Sequence, residues 1–220
     1  MQSVRLHVDG KGEIWALSQC RACGEVDKHR LRDAVAGAIP CRKCRHSMNI
    51  AGATIAAMDN KASPDPGPLQ IAVQSALEAD GLAGAARELN QRVPHRYTGI
   101  FLKDGPSLRN VALFDKQTPS PVLWPPFPMG NSFCSMIIGS GDPLAIASAD
   151  ADAREGVRNH PAARIVQAYC GVPLINPEGE VLGTLCHFDE QATAREMDLV
   201  ELLTIPILLL PYLAAARKAR

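Results

Sequence analysis

At 220 residues, 46% hydrophobic and 21% charged, the sequence has the composition of an ordinary globular protein, with room for one domain of about 150 residues after a small module. Its 23 Lys/Arg and 23 Asp/Glu cancel, and although residues 1–62 hold ten of the basic and six of the acidic side chains, that excess is far below the balance of a nucleic-acid-binding module. A membrane span is excluded as well: the most apolar run, Leu202 to Ala216, is too short for a bilayer and is interrupted by Pro206 and Pro211.

The first predicted element is a metal module at 1–61. Cys20/Cys23 and Cys41/Cys44 form two Cys-x-x-Cys pairs seventeen residues apart, within the spacing of about fifteen to twenty residues found in zinc ribbons. Thiolate suits Zn2+, and two tight turns with two sulfurs each close a tetrahedral cage. A redox dithiol needs only one pair, in a strand-to-helix setting that is missing around Cys20. The N-terminal residues lack a basic-then-apolar signal pattern, so a reducing cytoplasm is expected, where structural disulfides are disfavoured. All four positions being filled, the zinc is expected to be structural, with His29 and His46 as spare side chains. Arg42, Lys43 and Arg45 around the second pair read as a solvated rim. A phosphate-binding face is the competing reading, but Trp15 alone offers stacking there.

A Pro-rich linker, Ala62 to Pro68, separates this module from residues 69–220. Helical spacing then runs through Ile71, Val73, Leu77, Leu82 and Leu89, weakened by Gly81 and Gly84, which predicts one helix or two short ones. A hairpin follows: Tyr97 to Leu102, a turn at Lys103 to Pro106, and Leu108 to Phe114. Five prolines between Thr118 and Gly130 rule out a helix or central strand there, leaving a loop that carries Trp124 and Phe127. A short helix at Ser132 to Ile138, a strand at Leu144 to Ala147, and Asp150 and Asp152 as caps of the next helical turn come after it. The second hairpin pairs Cys170 to Ile175 with Val181 to Phe188. Its nearly continuous apolar runs predict a sheet covered on both faces. Met197, Val200, Leu203 and Ile207 mark a terminal helix packed on that sheet.

Taken together, Phe133-Cys-Ser135, Asp142-Pro-Leu144, Asp150 to Arg154, Tyr169-Cys-Gly-Val-Pro-Leu174 and Gly179-Glu-Val-Leu-Gly-Thr-Leu-Cys186 resemble the landmarks of a GAF domain. The likeness runs from about Leu69 to Leu213. It implies an α+β fold, a central antiparallel sheet with helices packed on it, beside the small N-terminal zinc ribbon. It also implies a small-molecule pocket under a long loop, the place held here by the Pro-rich segment. The cyclic-nucleotide subgroup is not matched, because Phe188-Asp-Glu190 is contiguous and its Asn-Lys partner is missing. Bilin-binding relatives have a strand resembling Leu182 to His187, which would put His187 at the pocket, yet the region of His160 to Ala163 has no cysteine to carry a bilin.

These readings lead to a cytoplasmic sensor or regulatory protein with Zn2+ as its cofactor, an unidentified small-molecule ligand, and output through a partner protein. A homodimer through Leu199 to Leu213 is expected as readily as burial of that stretch within one subunit. The candidate pocket residues are Phe101, Asn131, Phe133, Cys134, Ile146, Tyr169 and His187. No catalytic residue is assigned. Two other classes stay open: a zinc-ribbon adaptor with the GAF-like domain as dimerisation scaffold, and a thiol-dependent redox enzyme. For the enzyme, Cys134 with His187 is the pair to consider, since neighbours Cys186 and His187 point to opposite faces of a strand.

Overall fold

Local turn chemistry builds the N-terminal module. In a computed structural model, which describes residues 4–8, 14–30, 33–34, 38–49, 67–118, 123–176, 178–193 and 199–218, β1 (Val4–Val8), β2 (Ile14–Gln19) and β3 (Val26–Arg30) form an antiparallel meander, and β4 (Ala38–Pro40) pairs with β5 (Ser47–Asn49). The β2–β3 and β4–β5 connections are the two Cys-x-x-Cys turns, and they repeat one another. In the first, the Cys20 N–H donates to the Glu25 carbonyl (2.7 Å) and the Gly24 N–H to the Cys20 carbonyl (2.8 Å); in the second, Cys41 donates to His46 (2.9 Å) and Arg45 to Cys41 (2.9 Å). Both turns need a left-handed residue after the second cysteine, supplied by Gly24 at φ +74° and Arg45 at φ +62°. Among the described residues of this module, Ala16, Cys20, Ala34, Cys41 and Met48 form a buried apolar cluster.

Of the Pro-rich linker, residues 62–66 lie outside the described residues. Gly67 and Pro68 open α1 (Pro68–Gln91), where the Gly67 N–H donates to Gln70 Oε1 at 2.6 Å. The helix is interrupted at Asp80 and Gly81, the latter at φ +56°, so the weakness read at Gly81 is a kink between two helical stretches. The first hairpin is β6 (Tyr97–Asp104) and β7 (Ser107–Asp115), turned through Gly105 at φ +58°. The loop reading of 118–130 needs one correction. Residues 119–122 lie outside the described residues, but Phe127–Pro128 forms a two-residue edge strand, β8, opposite Ser107 and Leu108. Proline is tolerated there because an edge strand leaves one side of its backbone unpaired.

After α2 (Cys134–Ser140) and β9 (Leu144–Ile146), the short helix α3 (Glu155–Arg158) is capped by neither Asp150 nor Asp152. Its N-cap is Arg154, and Asp152 instead accepts the Arg154 N–H (2.9 Å) and grips its guanidinium. β10 (Ala168–Ile175) and β11 (Val181–Asp189) complete a six-stranded antiparallel sheet in the order β8-β7-β6-β11-β10-β9. The predicted single terminal helix is two, α4 (Leu199–Leu202) and α5 (Pro206–Lys218), since Pro206 starts a new helix rather than continuing the old one. Met197 lies outside the described residues. Leu203, Ile205, Leu209 and Leu213 are buried within the subunit, whereas Ile207 faces outward, 40% exposed.

Both faces of the sheet are covered, as the apolar runs predict. On one face α1, α4 and α5 bury Ile100, Leu102, Cys170, Val172, Leu174 and Leu185. On the other, α2 and the loops bury Phe101, Tyr169, Cys186 and Phe188 with Phe133 and Cys134. The second face does not close completely, and the candidate site lies there. Among the described residues, no helix is long and apolar enough to cross a membrane.

Candidate functional site

The four N-terminal cysteines converge. Their sulfurs all lie within 4.8 Å of one another, with Cys20 and Cys44 Sγ atoms 3.6 Å apart and Cys23 and Cys41 Sγ atoms 3.7 Å apart. A tetrahedral ion with bonds of about 2.3 Å sets its ligands about 3.8 Å apart, so the donor set fits a metal of that kind. Burial raises the Cys20 thiol, but the Ala22 and Cys23 N–H groups and the Cys44 and Cys41 thiols outweigh it and bring it down to about 7. Against the lowering effect of the Glu25 N–H, burial and the three other thiols push Cys23 up to about 12. Four sulfurs this close shed their protons together only when a cation neutralises them. Asp27, buried, ties the two turns by accepting the Arg42 N–H (3.0 Å). Of the basic rim, Arg42 also pairs with Asp27 (3.3 Å) and Lys43 with Glu25 (3.6 Å), so acidic side chains offset much of its charge.

The second site is a cavity of about 360 Å³ between the sheet and the loop that carries Trp124, inside the range of about 300–1,000 Å³ typical of small-molecule sites. Strand alternation places Tyr97, Phe101, Tyr169, Cys186 and Phe188 on its floor. Trp124 and Phe127 close it by edge-to-face packing: Trp124 lies 5.9 Å from Tyr97 and 6.0 Å from Phe188, and Phe127 lies 5.9 Å from Phe101. Polar groups are few. Asn131 and Ser132 lie in the turn just before α2, and Glu190 stands where Tyr97 Oη–H reaches it at 3.3 Å. Such a lining accepts a small, mostly apolar, flat molecule that offers a hydrogen-bond donor or positive charge to Glu190.

Five of the seven predicted pocket residues line this cavity: Phe101, Asn131, Phe133, Cys134 and Tyr169. Two do not. Ile146, on β9, is 2% exposed and packs in the apolar cluster beside the cavity. His187 is turned the other way because its neighbour Cys186 takes the cavity face, so it meets Thr98 Oγ1 at 2.7 Å under the helices and forms no pair with Cys134. Cys134 instead accepts a hydrogen bond from Tyr169 Oη (3.3 Å) and touches Cys186 Sγ (4.0 Å).

The profile of the GAF domain family matches residues 80–207. The chain belongs to the GAF domain family. Its fold is similar to the GAF domain of an Acinetobacter phosphoenolpyruvate-protein phosphotransferase, at 18% identity and a TM-score of 0.54, over 69% of this chain and 93% of that one. It is similar also to a free methionine-R-sulfoxide reductase from Neisseria meningitidis in complex with its substrate, at 20% identity and a TM-score of 0.51, over 76% of this chain and 93% of that one. At these identities the likeness is one of fold. No curated protein sequence matches the chain.

Sequence reasoning missed two residues that shape the GAF cavity, Gly99 and Gly171. The Phe101 ring lies over Gly99, where a Cβ would come within 2.3 Å of it, and the Tyr169 ring lies over Gly171, where a Cβ would come within 2.7 Å of its hydroxyl and 2.9 Å of Ile137. Aromatic residues two positions from a strand glycine are the visible signal, since the bare backbone lets the ring lie along the strand. Gly171→Ala is expected to displace the Tyr169 ring and to cost about 1–3 kcal/mol, read as a lower melting midpoint together with faster alkylation of Cys134. An unchanged midpoint would mean that the ring has room to spare.

Proposed function

We propose that the chain is a cytoplasmic signalling or regulatory protein in which the GAF domain senses a small molecule, the four cysteines hold a structural Zn2+, and output passes through a partner protein. The observation that carries this reading is the aromatic cavity closed by the Trp124/Phe127 loop. A ligand stacked on Tyr97 and Phe188 displaces or recruits that loop, and a ligand with different affinities for the two arrangements shifts their populations. Cys20, Cys23, Cys41 and Cys44 would hold the zinc, which supplies folding energy to the module and leaves no open coordination position for catalysis.

Native mass spectrometry of the purified full-length chain, compared with its denatured mass, tests both halves. The expected spectrum shows one zinc per chain and a small organic adduct. Ala162 lines the cavity, so Ala162→Leu should remove the adduct while zinc content and melting midpoint hold. A wild-type chain that stays free of adduct after exposure to cell extract, or an adduct indifferent to Ala162→Leu, would dismiss the sensor reading in favour of the scaffold. Absence of zinc would dismiss the metal assignment separately.

A further inference from the structure

We propose that Cys134 and Cys186 form a redox-active thiol pair at the floor of the GAF cavity, which reduces a small neutral hydroperoxide and is left as a disulfide. Both sulfurs line the cavity, 4.0 Å apart, and neither residue is more than 1% exposed. Closing that contact to a disulfide bond of about 2.05 Å asks for an approach of about 2 Å. Tyr169 Oη–H donates to Cys134 Sγ at 3.3 Å, placing a fixed donor where a thiolate needs one.

The two thiols are not equivalent. Burial raises Cys134, but hydrogen bonds from Cys186 foremost, and from Ser132 and Tyr169, bring it down to about 6. Burial and the neighbouring Cys134 push Cys186 well above the ordinary thiol range. Cys134 is therefore the nucleophile and Cys186 the resolving thiol. The Cys134 thiolate attacks the terminal oxygen of ROOH. The O–O bond breaks, ROH leaves carrying the proton released by Cys134, and a sulfenic acid remains on Cys134. Cys186 then attacks that sulfur, the S–O bond breaks, and hydroxide departs as water with the Cys186 proton. One hydroperoxide and two thiols thus give one alcohol, one water and one disulfide. The aromatic wall and the Glu190 carboxylate keep out an anionic oxidant, and the cavity admits a small, uncharged one. This chemistry needs the cavity but no resting ligand, so it is independent of the sensor reading.

The test is to treat the reduced full-length chain with one equivalent of tert-butyl hydroperoxide, block free thiols with N-ethylmaleimide under denaturing conditions, and map the peptides. The expected product joins the Cys134 and Cys186 peptides, formed at least about tenfold faster than any oxidation of Cys170, a buried thiol on the opposite face of the sheet. Cys186→Ser should halt Cys134 at the sulfenic acid, captured by dimedone, and Cys134→Ser should leave Cys186 reduced. Full alkylation of both cysteines after the peroxide treatment, or oxidation no faster than that of Cys170, would overturn the proposal. The wild-type map decides it even if a variant fails to fold.

Discussion

With the four cysteines read as a zinc site, a Cys41→Ser chain is expected to lose the metal and its N-terminal structure while the GAF domain keeps its own melting transition. Among the described residues, the module's buried apolar side chains include Ala16, Cys20, Ala34, Cys41 and Met48, and Cys20 and Cys41 are metal ligands in our reading. A module of about 60 residues buries too little apolar surface to offset the conformational entropy of ordering its strands without a staple. Structural zinc supplies about 10–16 kcal/mol in comparable four-ligand sites, and a serine hydroxyl does not replace a thiolate. The GAF domain has separate cores on the two faces of its sheet. The ion pair between Arg30 and Asp142 (2.5 Å) joins module to domain, and an exposed pair of this kind contributes at most about 1 kcal/mol. Hydrogen exchange read by mass spectrometry would check this: protection should vanish in β2 and β3 and persist in β6, β10 and β11. Retained protection in β2 and β3 would show that the module folds without metal.

The second large effect is on acid stability. His95 and His187 are each 1% exposed, their rings 6.1 Å apart. His187 meets Thr98, while neither ring nitrogen of His95 has a hydrogen-bond partner among the described residues. Burial holds His95 down to about 4 and His187 down to about 3, with Lys116 adding to both and His95 also adding to His187. Unfolded, both would take up a proton near pH 6.5. Below that pH the unfolded chain binds more protons than the folded one, so stability falls as pH falls, from about 6.5 down through the folded values. Each histidine contributes a slope approaching about 1.4 kcal/mol per pH unit, and the pair about twice that. Integrated to pH 4 the two histidines remove about 6 kcal/mol, a large fraction of a typical total of about 5–15 kcal/mol, so the melting midpoint of the GAF domain should fall steeply below pH 6. Melting curves between pH 7 and 4.5 test this, with His187→Gln expected to flatten the slope by about half at some cost in stability at pH 7. A melting midpoint constant from pH 6.5 to 5 would mean that water reaches these rings.

Much of this architecture was legible because its causes are local. Cys20, Cys23, Cys41 and Cys44 announce their cluster by spacing, since each Cys-x-x-Cys turn closes on its own backbone hydrogen bonds. Gly105 and Gly179, both at positive φ, mark hairpin turns that few other residues would accept. The kink at Gly81 and the order of the GAF landmarks belong to the same class. Boundaries were less secure where a proline had two uses: Pro206 starts α5 instead of ending a helix, and Pro128 sits in an edge strand.

The sequence by itself determined that Cys186 and His187 lie on opposite faces of one strand, because alternation is a property of extended backbone. Which of them meets the cavity was decided by the tertiary structure alone. Both faces of this sheet are covered by apolar residues, so hydrophobic pattern carries no sign that distinguishes a helix-packed face from a hollow one. The cavity is what α2, the Trp124 loop and the sheet leave unfilled when Gly99 and Gly171 let two rings lie flat, and the contact between Cys134 and Cys186 spans 52 residues of chain. A volume bounded by distant segments is a property of their packing, and no window of sequence contains it.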